Sequence, residues 1–187
     1  MKEVIDEAVR VLRGGGVILY PTDTVWGLGC DATNSEAVRK VFEIKHRSEA
    51  KSLVLLAADL DMVARYIRQI PSIAIDLVEV NDAPMTIVYP GAQGLAPEVV
   101  AEDGSVGIRI PNHEFCTELL RRLRVPLVST SANISGKPAP GSYKDIAPEI
   151  LSAVQWCAPR RFEAGATGRA SQIIKLGLRG EVEIIRP

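Results

Sequence analysis

The stretch from Gly14 to Asp31, GGGVILYPTDTVWGLGCD, constrains the fold more than any other part of the chain. Residues 17–20 are a short apolar run with β-branched members, closed by glycines on one side and Pro21 on the other, which predicts a buried strand. Thr22, Asp23 and Thr24 then stand at the strand's C-terminal end, the edge where open α/β sheets bind ligands. Gly27 and Gly29 read as positions able to take φ > 0, for a tight fold-back or close approach to a small molecule. An ordinary polar turn accounts for the same residues equally well.

A chain of 187 residues suits one domain over 1–187 and is long enough to close a substantial core. With 47% hydrophobic and 24% charged residues, the composition is that of a globular protein rather than a disordered one. The net charge of −1 gives no global attraction to nucleic acid, so any RNA contact has to come from a local patch of Lys and Arg. Cys30, Cys116 and Cys157 are widely spaced and lack a CxxC pattern, which argues against a disulfide framework or zinc site. The charged start, MKEVIDE, does not resemble a signal peptide, and no apolar run approaches the roughly 18 residues of a spanning helix. A cytoplasmic protein with no membrane partner is expected.

Apolar spacing predicts a helix before Gly14, a second from Asn34 or Ser35 to about Lys45, and further helices over 60–67, 71–80, 115–123 and 147–154. Strands are expected over 53–58, 85–89, 105–110 and 127–130, with a closing hairpin of 172–176 and 181–185, so the sheet should be mixed. The Gly/Pro/Ala-rich loop 90–104 is a candidate lid, and 134–142 is a connection without periodicity.

Three polar clusters could carry chemistry. Lys45-His-Arg-Ser-Glu-Ala-Lys51 lies at a helix end, where cations are favoured on electrostatic grounds alone, yet Arg47 could grip an anion with its fork while Lys45 and Lys51 act as point charges. His46 reads as a surface residue. Ser129-Thr-Ser-Ala-Asn133 follows an apolar strand and offers hydroxyls and an amide that could order phosphate, ribose or an amino acid, with Gly136 leaving room for close approach; a turn-capping role is the alternative. Arg109 alternates with Ile108 and Ile110 and must face solvent or a lined cavity, and Ser171 puts a hydroxyl at the start of a strand. No Walker loop, GxGxxG, HExxH or GxSxG occurs, so positioning and electrostatics rather than covalent catalysis are what these residues could supply.

These motifs, in this order, resemble the YrdC-like threonylcarbamoyl-AMP synthase family over nearly the whole chain, in its short form. Residues 15–29 are similar to the family's opening strand and turn, Lys45-His-Arg47 followed by Lys51 to its Lys-x-Arg signature, and Ser131-Ala-Asn133 to its Ser-x-Asn signature. The resemblance implies an α/β fold, a twisted open mixed sheet with flanking helices around a positively charged concave cavity. It also implies a reaction in which L-threonine, bicarbonate and ATP give threonylcarbamoyl-AMP and pyrophosphate, the product serving tRNA modification through a threonylcarbamoyl transferase complex. Thr24, Arg109, Ser129 and Ser171 would hold threonine, and Arg47, Lys51, Ser105, Ser131, Asn133, Ala139 and Arg186 the ATP, with Lys45 and Arg47 catalytic. Mg2+ would ride on the ATP phosphates, with no metal site on the protein. Direct binding of tRNA or double-stranded RNA is left open by the resemblance, as is an RNA-binding or assembly paralogue that has lost adenylation. A carbamoyl-transfer domain acting on a maturation protein's thiol is a further alternative, although such domains usually sit within much longer chains. Departures from the family pattern include Trp26, Leu56, Gln172 and Lys175, and the last three fall on the threonine side.

Overall fold

The computed structural model describes residues 1–47 and 53–187. Among the described residues nine strands form one open sheet: β1 Ile18–Tyr20, β2 Gly27–Gly29, β3 Val54–Leu56, β4 Met85–Tyr89, β5 Val106–Arg109, β6 Leu127–Ser131, β7 Trp156–Cys157, β8 Gln172–Leu176 and β9 Val182–Arg186. Their spatial order is β7-β1-β2-β6-β3-β5-β4-β8-β9. Pairs β1/β7, β3/β5 and β4/β8 are parallel and the other five are antiparallel, so the sheet is mixed as expected.

The first, second and fifth helices each bury one face. In α1 (Lys2–Arg13), Ile5, Ala8, Val9 and Leu12 are buried, a spacing that lines one helical face. α1 lies against α5 (Glu114–Leu123), which buries Phe115, Cys116, Leu119, Leu120 and Leu123. α3 (Leu60–Tyr66), α4 (Ser72–Val80) and α6 (Pro148–Ala153) complete the set. α2 (Ser35–Lys45) starts where Asn34 accepts the Ala37 N–H through its side chain. It ends at His46, whose φ of 55° is left-handed; this reverses the chain and leaves Lys45 and Arg47 beside the sheet. His46 itself is exposed and pairs with Glu149 at 2.8 Å.

Two segments differ from the sequence reading. β2 forms where only a turn was expected, and neither Gly27 nor Gly29 has positive φ. The reason for glycine there is packing: a Cβ on Gly29 would stand 2.5 Å from both Tyr20 Cε1 and the Val128 carbonyl, and one on Gly27 would stand 3.1 Å from Tyr20 Cζ. The Tyr20 ring therefore lies flat over β2, its hydroxyl donating to the Val128 carbonyl at 3.1 Å. We expect Gly29→Ala to cost at least about 1–3 kcal/mol through overpacking, measured as a lower midpoint in urea unfolding. The second difference is β7, a two-residue strand with no periodic signal, held by pairing with β1.

Loop 90–104 contains a single turn of 3-10 helix at Pro97–Val99. It is stitched to neighbouring segments by Ala96 N–H to the Ala32 carbonyl and Gln93 N–H to the Tyr66 carbonyl. Among the described residues no helix is long and apolar enough to cross a membrane.

Candidate active site

One face of the sheet forms the floor of a cleft. Strand register places Ser129, Val54, Gly107, Val88 and Lys175 in one row across β6, β3, β5, β4 and β8. Two residues further along is a second row, Leu127, Leu56, Arg109, Thr86 and Ile173; the two-residue period of a strand puts both rows on the same face. Two cavities of about 450 and 510 Å³ lie over this face and share Val54 in their walls.

The first cavity gathers Thr24, Lys45, Arg47, Arg109, Ser129, Ser131, Asn133, Ser171 and Arg186. These come from the β1–β2 turn, the end of α2, the end of β5, the end of β6 and the final hairpin. Among the described residues four cationic side chains thus line it, and no carboxylate does. Two expected residues are not in this cavity. Ser105 lines the second one, and Ala139 is exposed on the 134–142 connection, lining neither. Lys51 lies outside the described residues.

Arg109 is 4% exposed and ion-paired with Asp23, Nη1 to Oδ1 at 2.5 Å. Asp23 also accepts the Asn112 N–H at 3.1 Å, so its carboxylate is bridged from two sides. Arg109 Nη2 donates to Thr24 Oγ1 at 3.3 Å. Thr22 Oγ1 donates to the Val25 carbonyl at 2.7 Å, accepts the Thr24 and Val25 N–H groups at 3.0 and 3.2 Å, and stands 3.0 Å from Thr24 Oγ1. Thr24 is thereby held between Thr22 and Arg109 at the cleft wall. The turn is roofed by Thr167 and Gly168, whose N–H groups donate to the Asp23 and Thr24 carbonyls at 2.9 Å.

Lys45 is 3% exposed. Its ammonium donates to the Ser131 carbonyl at 2.6 Å, the Asn133 carbonyl at 2.8 Å and Asn133 Oδ1 at 3.4 Å, using all three protons. The Lys45 carbonyl in turn accepts the Ser135 N–H at 2.9 Å. Lys45 thus ties the two sequence signatures into one unit and fixes the backbone beside Arg47. Burial, and then the neighbouring Arg47 guanidinium, push its ammonium down to about 8.

Ser171 shares a 2.7 Å hydroxyl contact with buried Thr86, and its carbonyl accepts Arg186 Nε at 2.7 Å. A register shift between Ile173 and Ile174 bends the β8–β9 pairing and turns Arg186 into the cleft. Trp26 is 2% exposed; its indole N–H donates to Glu163 Oε2, which also accepts the Tyr143 N–H at 3.0 Å. The Tyr143 ring meets Trp26 edge-on and carries the Arg160 guanidinium 3.9 Å from its centroid.

Asp23 as the partner of Arg109, Thr86 behind Ser171, and Glu163 under Trp26 were not assigned roles from the sequence. Asp23 had a signal in its place in the turn, and Thr86 in matching the family pattern after residues 81–84; Glu163 sits in a segment distant along the chain. Among the described residues no group of three or more His, Cys, Asp or Glu side chains could hold a metal.

An open mixed sheet with a cleft on one face, lined by basic side chains, hydroxyls and one amide, defines the class of this α/β protein. The chain belongs to the Sua5/YciO/YrdC family, whose model, described as telomere recombination, matches residues 10–187. It is 38% identical over 155 residues to a threonylcarbamoyl-AMP synthase of Stenotrophomonas maltophilia (strain K279a), covering 81% of this chain and 83% of that one. A doubly substituted Sua5 of P. abyssi superposes with a TM-score of 0.86 at 28% identity, covering 98% of this chain and 56% of that one. P. abyssi Sua5 complexed with L-threonine gives 0.81 at 28% identity, covering 92% and 50%. The chain therefore spans about half the length of these Sua5 chains.

Proposed function

We propose that this chain is an L-threonylcarbamoyladenylate synthase, acting as one unit over residues 1–187. The observation that carries the reading is the buried Arg109–Asp23 pair at one end of a cleft whose other cations are Lys45, Arg47 and Arg186. Arg109 suits the amino acid's carboxylate, with Thr24, Ser129 and Ser171 around it. Arg47 and Arg186 suit the nucleotide phosphates, with Ser131 and Asn133 beside them. The named synthase relatives, and the threonine complex of Sua5, support this over a paralogue without adenylation.

In the proposed sequence, the threonine nitrogen attacks the carbon of bicarbonate, and water leaves as the carbamate forms. A carbamate oxygen then attacks the α-phosphorus of ATP, and pyrophosphate leaves. Negative charge builds beside the phosphates, where fixed cations stabilise it without reorganisation. Magnesium enters this reading on the phosphates, not through protein ligands. The same reading has a transferase complex carry the product's threonylcarbamoyl group to tRNA, in the cytoplasm.

The test is pyrophosphate release from ATP and bicarbonate with L-threonine, with L-serine and with no amino acid. Release that requires threonine and bicarbonate is the expected result. ATP binding without release under any of these conditions would overturn the synthase assignment.

A further inference from the structure

The second cavity holds a hydroxyl whose direction is fixed. Ser105 shares the cleft face with Gly107 and Arg109 by strand alternation and is 5% exposed. Asp103 Oδ1 stands 2.5 Å from its Oγ and 3.0 Å from its backbone nitrogen. The other carboxylate oxygen, Oδ2, accepts from the Lys175 ammonium at 2.6 Å. Lys175 and the two Ser105 bonds hold the Asp103 carboxyl well below the usual carboxylate range, so it is an acceptor at any working pH.

A serine hydroxyl has one proton, and here Asp103 takes it. Only lone pairs of the Ser105 hydroxyl remain toward the cavity, where Val54, Val88 and Ile173 supply aliphatic surface and Thr86, Glu102, Asp103 and Lys175 complete the polar part of the wall. At Ser105 itself a ligand meets apolar contact plus a hydroxyl that can only accept.

We infer that Asp103 is a specificity-determining positioning residue: through Ser105 it makes the second cavity accept a ligand group that donates N–H or O–H and reject a carbonyl in the same place. The inference rests on the reading above, with the nucleotide's phosphates in the first cavity and its base extended past Val54, the wall residue the two cavities share, into the second. The donor is then the amino group of the base. Lys175, one of the residues that departs from the family pattern, is the group that holds Asp103 in register on β8.

The test is calorimetric titration of the full chain with ATP, ITP, 2′-deoxy-ATP and 3′-deoxy-ATP. ITP replaces the amino group by a carbonyl, and the deoxy nucleotides, which each remove one hydroxyl, are the controls. ITP should bind at least about tenfold more weakly than ATP, because its carbonyl faces the lone pairs of the Ser105 hydroxyl. In Asp103→Ala the freed hydroxyl can rotate and donate to that carbonyl, and the ATP-to-ITP ratio should fall below about threefold. Ser105→Ala should remove the ratio as well, and the double variant should match Ser105→Ala alone, because Asp103 acts only through that hydroxyl. Asp103 is half-exposed, and thermal unfolding of its variant provides the check on folding. No ATP binding by the unmodified protein would sink the nucleotide reading and this inference together. Tight ATP binding with equal affinity for ITP, a loss confined to a deoxy nucleotide, or an ATP-to-ITP ratio that survives Asp103→Ala, would sink this inference alone.

Discussion

Arg109→Ala should destabilise the protein and abolish threonine-dependent turnover, and the two losses should be separable. Removing one partner of a buried ion pair leaves the other uncompensated, and for Asp23 this should cost about 3–5 kcal/mol, read from urea unfolding. Losing a charged contact to the amino acid's carboxylate should lower kcat/KM for threonine by about a hundredfold or more. The double variant Asp23→Asn with Arg109→Met removes both charges, so much of the stability should return while activity does not. Full activity in a folded double variant would show that Arg109 is only a structural ion.

The second large effect is expected at the end of α2. Arg47→Ala should nearly abolish pyrophosphate release without changing the unfolding midpoint by more than about 0.5 kcal/mol, since Arg47 is not a core residue. Lys45→Ala should also nearly abolish release, but with lower stability, because three acceptors on Ser131 and Asn133 lose their donor. The Lys45 ammonium is charged below about 8 and neutral above it. As pH rises through that value one of its three donors is lost, and kcat/KM, which reports the free enzyme, should decline. In Lys45→Arg the decline should disappear whatever activity remains, because a guanidinium keeps its proton throughout this range. A pH profile identical in the two proteins would remove Lys45 as its source.

Most elements were legible because their signals are local. The first helix, the capped α2, the strand before Pro21 and the closing hairpin follow from apolar period, Asn34, and the Gly177 and Gly180 turn. β2 was not legible, since Gly-Leu-Gly has no strand propensity; it is a strand because Tyr20 needs a surface without side chains to lie on. β7 likewise exists only by pairing with β1.

The candidate site divides in the same way. Residue type and position at strand and helix ends marked the Thr22–Asp23–Thr24 turn, the Lys45–Arg47 pair and the Ser129–Asn133 run. The sequence alone thus determined which chemical groups are available and at which ends of which elements they sit. Which groups meet was decided by the tertiary structure. Sheet order brings Asp23 to Arg109, 86 residues apart, and Thr86 to Ser171, 85 apart. It also spends the Lys45 ammonium on backbone carbonyls and separates Ser105 from the first cavity into the second. Charge, hydroxyls and turn geometry are properties of a residue and its near neighbours, whereas hydrogen-bond partners and burial depend on which distant strands share a register.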